Sequence, residues 1–307
     1  MMKQFNLSIL TLFIALNLFA QPYNIGTETK KIVFLGNSIT QQGDYISFIE
    51  TYYTLKYPAK NLEFINVGLA SETVSGLSEP NHANGAFPRP DLRERLDRVL
   101  DMVKPDLILA CYGMNDGIYL PFDLERFQKY RDGIQWLVEE ARKRNISIIF
   151  VTPPIYDEAK GAAYANVLDI YADWLISTKY TNDWKVIDIH EPMKRYLDER
   201  RKTDYTFYLA KDGVHPGAQG HWMMAREILI GLGESHLVNM EYATEAFSNY
   251  VHGQKVLDLV NEKQALMKYA WLSHTKHKRP GVPQGLPMAE ALIKRDSLNG
   301  MIESLVK

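Results

Sequence analysis

Residues 30–40 read KKIVFLGNSIT, an apolar run that ends at Gly36 and is followed by a polar turn. A short run of Ile, Val, Phe and Leu bounded by glycine predicts a strand that is buried on both faces. Ser38 then stands where this strand passes into a helix, beside backbone N–H groups that have no partner inside the helix. Two interpretations follow from this placement: Ser38 is either a helix N-cap or a nucleophile.

The rest of the chain extends the pattern of that first stretch. Further apolar runs predict four more strands, at residues 62–67, 106–112, 146–152 and 185–189. Amphipathic segments between and after them predict helices at residues 44–57, 91–103, 123–144, 160–178 and 218–232. This alternation is typical of an α/β fold whose parallel sheet carries helices on both sides. In such folds the functional crevice lies beyond the carboxyl ends of the strands.

Two other polar clusters carry residue types that a nucleophilic serine requires. In KDGVHPGAQG (211–220), His215 is a candidate base and Asp212 a candidate carboxylate to orient its ring. In CYGMND (111–116), the Asn115 amide is a candidate hydrogen-bond donor to a developing oxyanion. The alternatives are a surface histidine in a loop for the first cluster and ordinary turn chemistry for the second.

Together the three clusters resemble the motif blocks of the SGNH hydrolases, also called the GDSL esterase/lipase superfamily. The matching blocks are Gly36-Asn37-Ser38, Gly113-Met114-Asn115-Asp116 and Asp212-Gly213-Val214-His215, and the resemblance covers residues 30–233. It implies a three-layer α/β/α, flavodoxin-like fold with a five-stranded parallel sheet. It also implies ester hydrolysis without a metal or other cofactor.

Carried over by position, the resemblance makes Ser38 the nucleophile, His215 the base and Asp212 its orienting acid. It implies an oxyanion hole formed by the backbone N–H of Ser38, the backbone N–H of residue 71 and the Asn115 amide. The family has aspartate where this chain has Asn37, and a glycine where it has Ser71. Ser71 serves as a donor if its backbone adopts the conformation that glycine favours, and Gly68 is the fallback.

Other residues near the predicted strand ends are candidates for substrate binding. The loop SEPNHANGAFPRP (78–90) contributes His82, Asn84 and Phe87, with an irregular surface loop as the alternative. Aromatic rings that could stack on sugars are Tyr112, Tyr119 and Trp271, with burial in the core as the alternative. The basic loop at 274–280 either meets a carboxylated sugar chain or is a solvated turn.

The remaining histidines and the single cysteine are interpreted as structural. His190 is expected at a strand-to-helix junction, and His221 as a packing or surface residue. Cys111 ends an apolar run and is expected to be a buried thiol. No His, Cys and acidic side chains have metal-ligand spacing, so no metal is predicted.

Composition and the N-terminus suggest where the protein works. The chain has 307 residues and a formal net charge of −2, which gives no global field that favours nucleic acid. Residues 1–20 combine one lysine with fourteen uncharged residues, the pattern of a secretory signal peptide. We expect cleavage after Ala20, a periplasmic or secreted protein, and no stable membrane insertion after cleavage. The sequence does not indicate the oligomeric state.

The predicted organisation is a signal peptide (1–20), a hydrolase domain (21–240) and a C-terminal helical extension (241–307). The extension is predicted to form a helix over 241–272, a Pro/Gly-rich loop and a second helix over 288–306, packed on the main domain.

The first functional hypothesis is an exported esterase that removes acetyl or similar small acyl groups from a carbohydrate. The alternatives are a lipase, lysophospholipase or thioesterase with the same triad, and an inactive glycan-binding homologue.

Overall fold

The computed structural model describes residues 22–307, so the predicted signal peptide lies outside the described residues. Five strands form one parallel sheet in the order β2-β1-β3-β4-β5. They are β1 (Lys31–Gly36), β2 (Glu63–Asn66), β3 (Leu107–Cys111), β4 (Ser147–Val151) and β5 (Lys185–Ile187). Every residue of β3 is buried, as expected for a central strand with helices on both faces.

Ten α-helices accompany the sheet within residues 22–307. They are α1 (Ser38–Gln42), α2 (Asp44–Lys56), α3 (Leu96–Val103), α4 (Leu124–Lys143), α5 (Glu158–Thr181), α6 (His190–Arg201), α7 (Ala218–Gly231), α8 (Ala243–Phe247), α9 (Gly253–His274) and α10 (Met288–Val306). Helices α2 and α7 pack together on one face of the sheet, while right-handed crossovers place α3, α4 and α5 on the other. The predicted α/β fold with a five-stranded parallel sheet is confirmed.

The strand register aligns the ends that carry the polar clusters. Gly36 at the end of β1 is level with Cys111 at the end of β3, and Phe34 is level with Asn66 at the end of β2. The segments that follow these three strands therefore leave the sheet side by side. This alignment brings residues 36–40, 67–73 and 111–116 to one rim.

Some helix boundaries differ from the prediction. The segment predicted as one helix over 91–103 contains a 3₁₀ turn (Leu92–Glu94) and then α3, because Arg95 leaves the helical path and buries its side chain. The segment 241–272 is two helices, α8 and α9. The chain turns so tightly between them that a Cβ on Gly253 would lie 2.2 Å from the carbonyl oxygen of Phe247. Helix α6 was expected only as the helix that follows the strand at His190, without bounds.

The C-terminal segments pack on the main domain, as expected. Helix α9 contacts α2 and runs beside β2, where the buried Gln264 amide donates to Glu50 and to the Phe64 carbonyl. Helix α10 packs mainly on α9. The boundary at residue 240 stays a prediction. Among residues 22–307, no helix has both the length and the apolar character needed to span a bilayer.

Candidate active site

Ser38 is the first residue of α1, directly beyond the end of β1. The helix is capped by the preceding residue: the Asn37 Oδ1 accepts a hydrogen bond from the Ile39 N–H at 3.1 Å. Gly36 allows the chain to pass close to Thr40 and to β3, since a Cβ there would lie 2.2 Å from the Thr40 Oγ1 and 2.8 Å from the Cys111 carbonyl oxygen. Because Asn37 performs the capping, the Ser38 hydroxyl is free for other contacts. The N-cap interpretation of Ser38 is therefore wrong.

Ser38, His215 and Asp212 form a continuous hydrogen-bonded relay. The Ser38 Oγ lies 2.9 Å from His215 Nε2, and His215 Nδ1 lies 2.7 Å from Asp212 Oδ2. A carboxylate only accepts, so Nδ1 carries the proton and donates to Asp212. This leaves Nε2 as an acceptor for the Ser38 O–H, the arrangement in which an imidazole can act as a base.

The Asp212 carboxylate is held by its own loop. Its Oδ1 accepts hydrogen bonds from the backbone N–H groups of Val214 at 2.9 Å and His215 at 2.8 Å. Partial burial opposes ionisation, but the bonds from the His215 ring and from the two N–H groups outweigh it and lower the pKa of Asp212 to about 2. The carboxylate thus keeps its negative charge at any physiological pH.

The relay is open to solvent. The side chains of His215 and Asp212 are 43% and 55% exposed. A groove of about 610 Å³ between α2, β2, α9 and α10 contains none of the three relay residues. The reactive groups therefore lie on an accessible rim and not inside a closed cavity.

The backbone N–H groups of Ser38 and Ser71 are without acceptors among the described residues. Neither the Ser38 N–H nor the Ser71 N–H donates a hydrogen bond to any residue in 22–307. Ser71 has φ +66°, the left-handed conformation that a glycine adopts easily. Ser71 thus has the backbone conformation on which its predicted donor role depended. The fallback residue Gly68 is excluded, because its N–H donates to the Asn66 Oδ1 at 2.9 Å.

Asn115, the candidate side-chain donor, is buried. The residue is 2% exposed. Its Oδ1 accepts from the Tyr119 hydroxyl at 3.0 Å, and its Nδ2 donates to the Glu72 carbonyl at 3.1 Å. These two bonds fix the orientation of the amide, and the second N–H of Nδ2 has no hydrogen-bond partner among the described residues. Its role as the third oxyanion donor stays a prediction.

Asp116 joins the segments that follow β2 and β3. Its Oδ1 accepts from the N–H groups of Val74 and Ser75, and its Oδ2 accepts from the Gly113 N–H, all at 2.9 Å. Burial raises the pKa of Asp116 to about 6, although these backbone bonds favour the charged form. Asp116 therefore bridges two segments of the rim, whereas the alternative interpretation of this cluster was ordinary turn chemistry.

Two aromatic candidates for substrate binding require correction. Tyr112 is 1% exposed, and its hydroxyl donates to the Glu72 carboxylate at 2.7 Å, so the ring belongs to the core. Trp271, on α9, is 8% exposed and packs into the hydrophobic core. Neither ring is available to a sugar.

The loop at 78–90 is anchored beside Ser71. Arg89 forms a two-pronged ion pair with Glu79, at 2.6 and 2.7 Å, and its Nη1 lies 3.5 Å from the Ser71 carbonyl oxygen. Its guanidinium stacks on the half-buried ring of Tyr119 at 5.2 Å. Sequence reasoning missed Arg89, because an arginine in a Pro/Gly-rich loop looks like a solvated residue.

The candidates within that loop are placed differently from one another. His82 is mostly buried, faces Glu79 at 3.2 Å and packs against Phe87, whereas Asn84 is exposed. The basic loop at 274–280 reaches the same region, since the Arg279 guanidinium lies over the Phe87 ring at 5.3 Å. Their roles in binding stay predictions.

The rival histidines are structural, as expected. His190 begins α6, and its ring is fixed by the Pro153 carbonyl and by Asp169 at 2.9 and 2.8 Å. His221 is fully buried, and neither ring nitrogen has a partner in 22–307. Burial lowers the pKa of His221 to about 4. In that same part of the chain, no three His, Cys, Asp or Glu side chains are grouped to hold a metal ion.

A parallel α/β sheet with a Ser–His–Asp relay at the carboxyl ends of its strands is the architecture of a serine-type hydrolase. The sequence matches the model of the GDSL-like Lipase/Acylhydrolase family over residues 34–223, and the chain belongs to that family. The resemblance seen in the motif blocks is thereby confirmed, and the protein is a hydrolase of ester bonds.

Individual relatives are more distant. The chain is 24% identical over 225 residues to an acetylxylan esterase of Geobacillus stearothermophilus, across 66% of this chain and 94% of that one. A catalytic mutant of an acetylxylan esterase from that organism superposes with a TM-score of 0.54 at 23% identity, over 68% of this chain and 96% of its own.

Two other solved structures share the fold. A gut microbial diltiazem-metabolizing enzyme has a TM-score of 0.54 at 23% identity, covering 69% of this chain and 49% of its own. An α/β hydrolase from the metagenome of Lake Arreo, Spain, has a TM-score of 0.54 at 22% identity, covering 69% of this chain and 97% of its own.

Proposed function

We propose that this protein removes acetyl or similarly small acyl groups from a carbohydrate, through a Ser38–His215–Asp212 triad and an acyl-enzyme. The observation that carries the proposal is the relay itself, in which the Ser38 Oγ lies 2.9 Å from the His215 ring and the ring lies 2.7 Å from Asp212. This is the arrangement that activates a hydroxyl, which is otherwise a weak nucleophile.

The proposed reaction proceeds in two acyl-transfer steps. The Ser38 Oγ attacks the ester carbonyl carbon as His215 Nε2 takes the hydroxyl proton, and the Asp212 carboxylate stabilises the resulting imidazolium. The tetrahedral oxyanion is stabilised by the N–H groups of Ser38 and Ser71 and by the Asn115 amide. His215 then gives the proton to the departing alcohol oxygen. Water, activated by the same ring, releases the acid and restores the Ser38 hydroxyl.

The openness of the rim supports a polymeric alcohol and a small acyl group. With His215 and Asp212 about half exposed, a sugar chain can lie across the site without passing through a lid. The relative from Geobacillus stearothermophilus described above is an acetylxylan esterase. A carbohydrate ester thus fits both the accessibility of the site and the relative.

The proposal is tested by measuring acetate released from acetylated xylo-oligosaccharides and from other acetylated glycans. A series of p-nitrophenyl esters from acetyl to palmitoyl then measures acyl preference. We expect the highest kcat/KM for the acetyl ester and stoichiometric acetate release from at least one glycan. Preference for esters longer than about eight carbons, with no acetate release from any glycan, would contradict the proposal.

A lipase or other long-chain esterase is the second candidate, and one observation favours it. The segment from Asn115 to the first residue of α4 exposes three apolar side chains, which are Leu120 (44%), Phe122 (40%) and Leu124 (68%). Such side chains could bind an acyl chain, and the acyl series above distinguishes this outcome. The inactive glycan-binding homologue is tested by the labelling experiment that closes the Discussion.

We also propose that the protein is exported to the periplasm or the medium after loss of residues 1–20. The support is the short basic start followed by an uncharged apolar run. Mass spectrometry of the protein expressed with its native N-terminus should find Gln21 as the first residue in the exported fraction. An intact N-terminus on protein that remains in the cytoplasm would contradict this.

A further inference from the structure

Directly after Ser71 lies a buried ion pair that the reaction itself does not use. Glu72 and Arg95 have side chains that are 0% and 1% exposed. The Arg95 Nε donates to Glu72 Oε1 at 2.6 Å and its Nη2 donates to Oε2 at 2.8 Å, a two-pronged contact with fixed geometry. A pair of this kind is costly to bury, and it holds its partners in one arrangement.

The pair links the two ends of the segment 67–72, which carries Ser71. The Arg95 Nη2 also donates to the Val67 carbonyl at 2.8 Å, so one guanidinium binds both residue 67 and residue 72. Within this closed segment the Ala70 N–H is bound by the Gln41 side chain and the Glu72 N–H by the Leu69 carbonyl. Among the N–H groups of residues 67–72, only that of Ser71 has no acceptor in the part of the chain that the structure describes. The contacts thus leave one donor free and fix those around it.

Glu72 also connects Ser71 to Asn115. Its carbonyl accepts from the Asn115 Nδ2 at 3.1 Å, and its carboxylate accepts from the Tyr112 hydroxyl at 2.7 Å. Through one residue, the segment after β2 and the segment after β3 share a fixed spacing. These are the segments that supply two of the three proposed oxyanion donors.

The backbone conformation of Ser71 requires contacts that hold it in place. A serine at φ +66° lies in the left-handed region, which is strained for a residue with a Cβ. Such a conformation persists where the surrounding contacts determine it. Glu72 is covalently attached to Ser71 and held on both carboxylate oxygens, so it is placed to supply that constraint.

We propose that Glu72 and Arg95 are positioning residues that set the Ser71 N–H and the Asn115 amide at the spacing that the oxyanion hole requires. The inference rests on the proposed acyl-transfer function of Ser38. It assigns to the pair an effect on the transition state and little effect on ground-state binding, since neither side chain reaches substrate. A donor displaced by about 1 Å can cost on the order of 10²-fold in rate.

The test uses the paired variant Glu72→Gln/Arg95→Met. Removing one charge alone would leave the other buried without its counter-charge, whereas replacing both avoids that penalty. The oxygen of the introduced amide can still accept from the Tyr112 hydroxyl. With p-nitrophenyl acetate we expect kcat to fall by about 10–100-fold while KM stays within about twofold. The inhibition constant of a boronic acid, which mimics the tetrahedral oxyanion, should rise by the same factor as kcat falls.

A matched control is the buried pair Glu50–Lys263, whose side chains are 5% and 12% exposed and lie 2.8 Å apart between α2 and α9. The variant Glu50→Gln/Lys263→Met should shift the melting temperature but leave kcat and the boronic acid constant within about twofold. Addition of Ser71→Gly to the Glu72→Gln/Arg95→Met variant should restore part of kcat, because glycine adopts positive φ without steric cost.

Two outcomes would overturn the inference. One is a folded Glu72→Gln/Arg95→Met protein whose kcat and boronic acid affinity equal those of the wild type. The other is a loss that appears equally in KM, or equally in the Glu50→Gln/Lys263→Met control. Failure of the underlying proposal would look different, because a fluorophosphonate would then leave Ser38 of the wild-type protein unlabelled.

Discussion

His215 Nε2 lies 2.9 Å from the Ser38 Oγ, although 177 positions separate these two residues in the chain. His215 comes after β5, the last strand in the chain, whereas Ser38 directly follows β1, the first strand. Their contact depends on the whole parallel sheet, on the single residue Asn37 between β1 and α1, and on the longer segment between α6 and α7 that contains His215. Substitutions at this contact and around it should therefore have distinct effects on turnover and on stability.

Asp212→Asn should lower kcat by about 10⁴-fold with little effect on KM. An amide at this position cannot favour the tautomer that leaves Nε2 free to accept the Ser38 proton, nor stabilise the imidazolium. Steady-state hydrolysis of p-nitrophenyl acetate measures the loss. Asp198→Asn, an exposed aspartate on α6, is the control and should behave as the wild type. Near-normal turnover by the Asp212→Asn protein would remove Asp212 from the proposed triad.

Substitutions of Ser71 should separate backbone conformation from side-chain chemistry. Ser71→Gly should keep kcat within about threefold, because the N–H survives and glycine adopts positive φ readily. Ser71→Val should lower kcat by at least about tenfold, since a β-branched residue is strained at positive φ. Both variants are compared by kcat and by circular dichroism. Equal activity of the valine and glycine variants would show that this N–H does not act in the reaction.

Asn115→Ala should lower kcat by about 10²–10³-fold, the loss expected for one oxyanion donor. Tyr119→Phe is the companion variant. It removes the hydroxyl that fixes the Asn115 Oδ1 but leaves the Nδ2 contact with the Glu72 carbonyl, so we expect a smaller loss. If Asn115→Ala costs stability alone, with kcat unchanged in the folded protein, the amide is structural.

His221 should make stability depend on pH. Its pKa is lowered from 6.5 to about 4 in the folded protein, chiefly by burial, so the unfolded chain binds the proton more tightly. The stabilising effect of the neutral ring is complete above pH 6.5 and is lost as pH falls toward 4. This difference corresponds to about 3 kcal/mol.

The variant His221→Phe isolates that effect, because phenylalanine keeps a ring against Tyr45 and cannot be protonated. Urea unfolding of both proteins at pH 7 and pH 4 gives the comparison. We expect the difference in unfolding free energy between variant and wild type to grow by about 3 kcal/mol at the lower pH. Parallel loss of stability in the two proteins would show that His221 does not titrate on unfolding in this range.

Much of the fold followed from short patterns in the sequence. The five strands lie within one or two residues of the predicted runs, because β-branched and aromatic residues bounded by turns have few alternatives in a buried sheet. The three segments around Ser38, Asn115 and His215 could be placed together, since the carboxyl ends of parallel strands share one rim.

Contacts between side chains distant in the sequence could not be predicted in the same way. Arg95 lies in a charged amphipathic segment, where an arginine is normally solvated, and nothing local indicates that it pairs with Glu72. Tyr112 and Trp271 show why aromatic residues near a site are ambiguous: only the tertiary packing decides which face meets water. The break before α9 was missed because the apolar positions on either side kept a helical period.

The central claim is that Ser38 is the nucleophile, and the most direct measurement is mass spectrometry of the protein after reaction with a fluorophosphonate. We predict one covalent adduct per chain, located on Ser38, with loss of esterase activity in proportion to labelling. The Ser38→Ala protein should fold normally, take up no label and show no turnover above background. An unlabelled Ser38 in active wild-type protein, or undiminished ester hydrolysis by the Ser38→Ala protein, would contradict the claim.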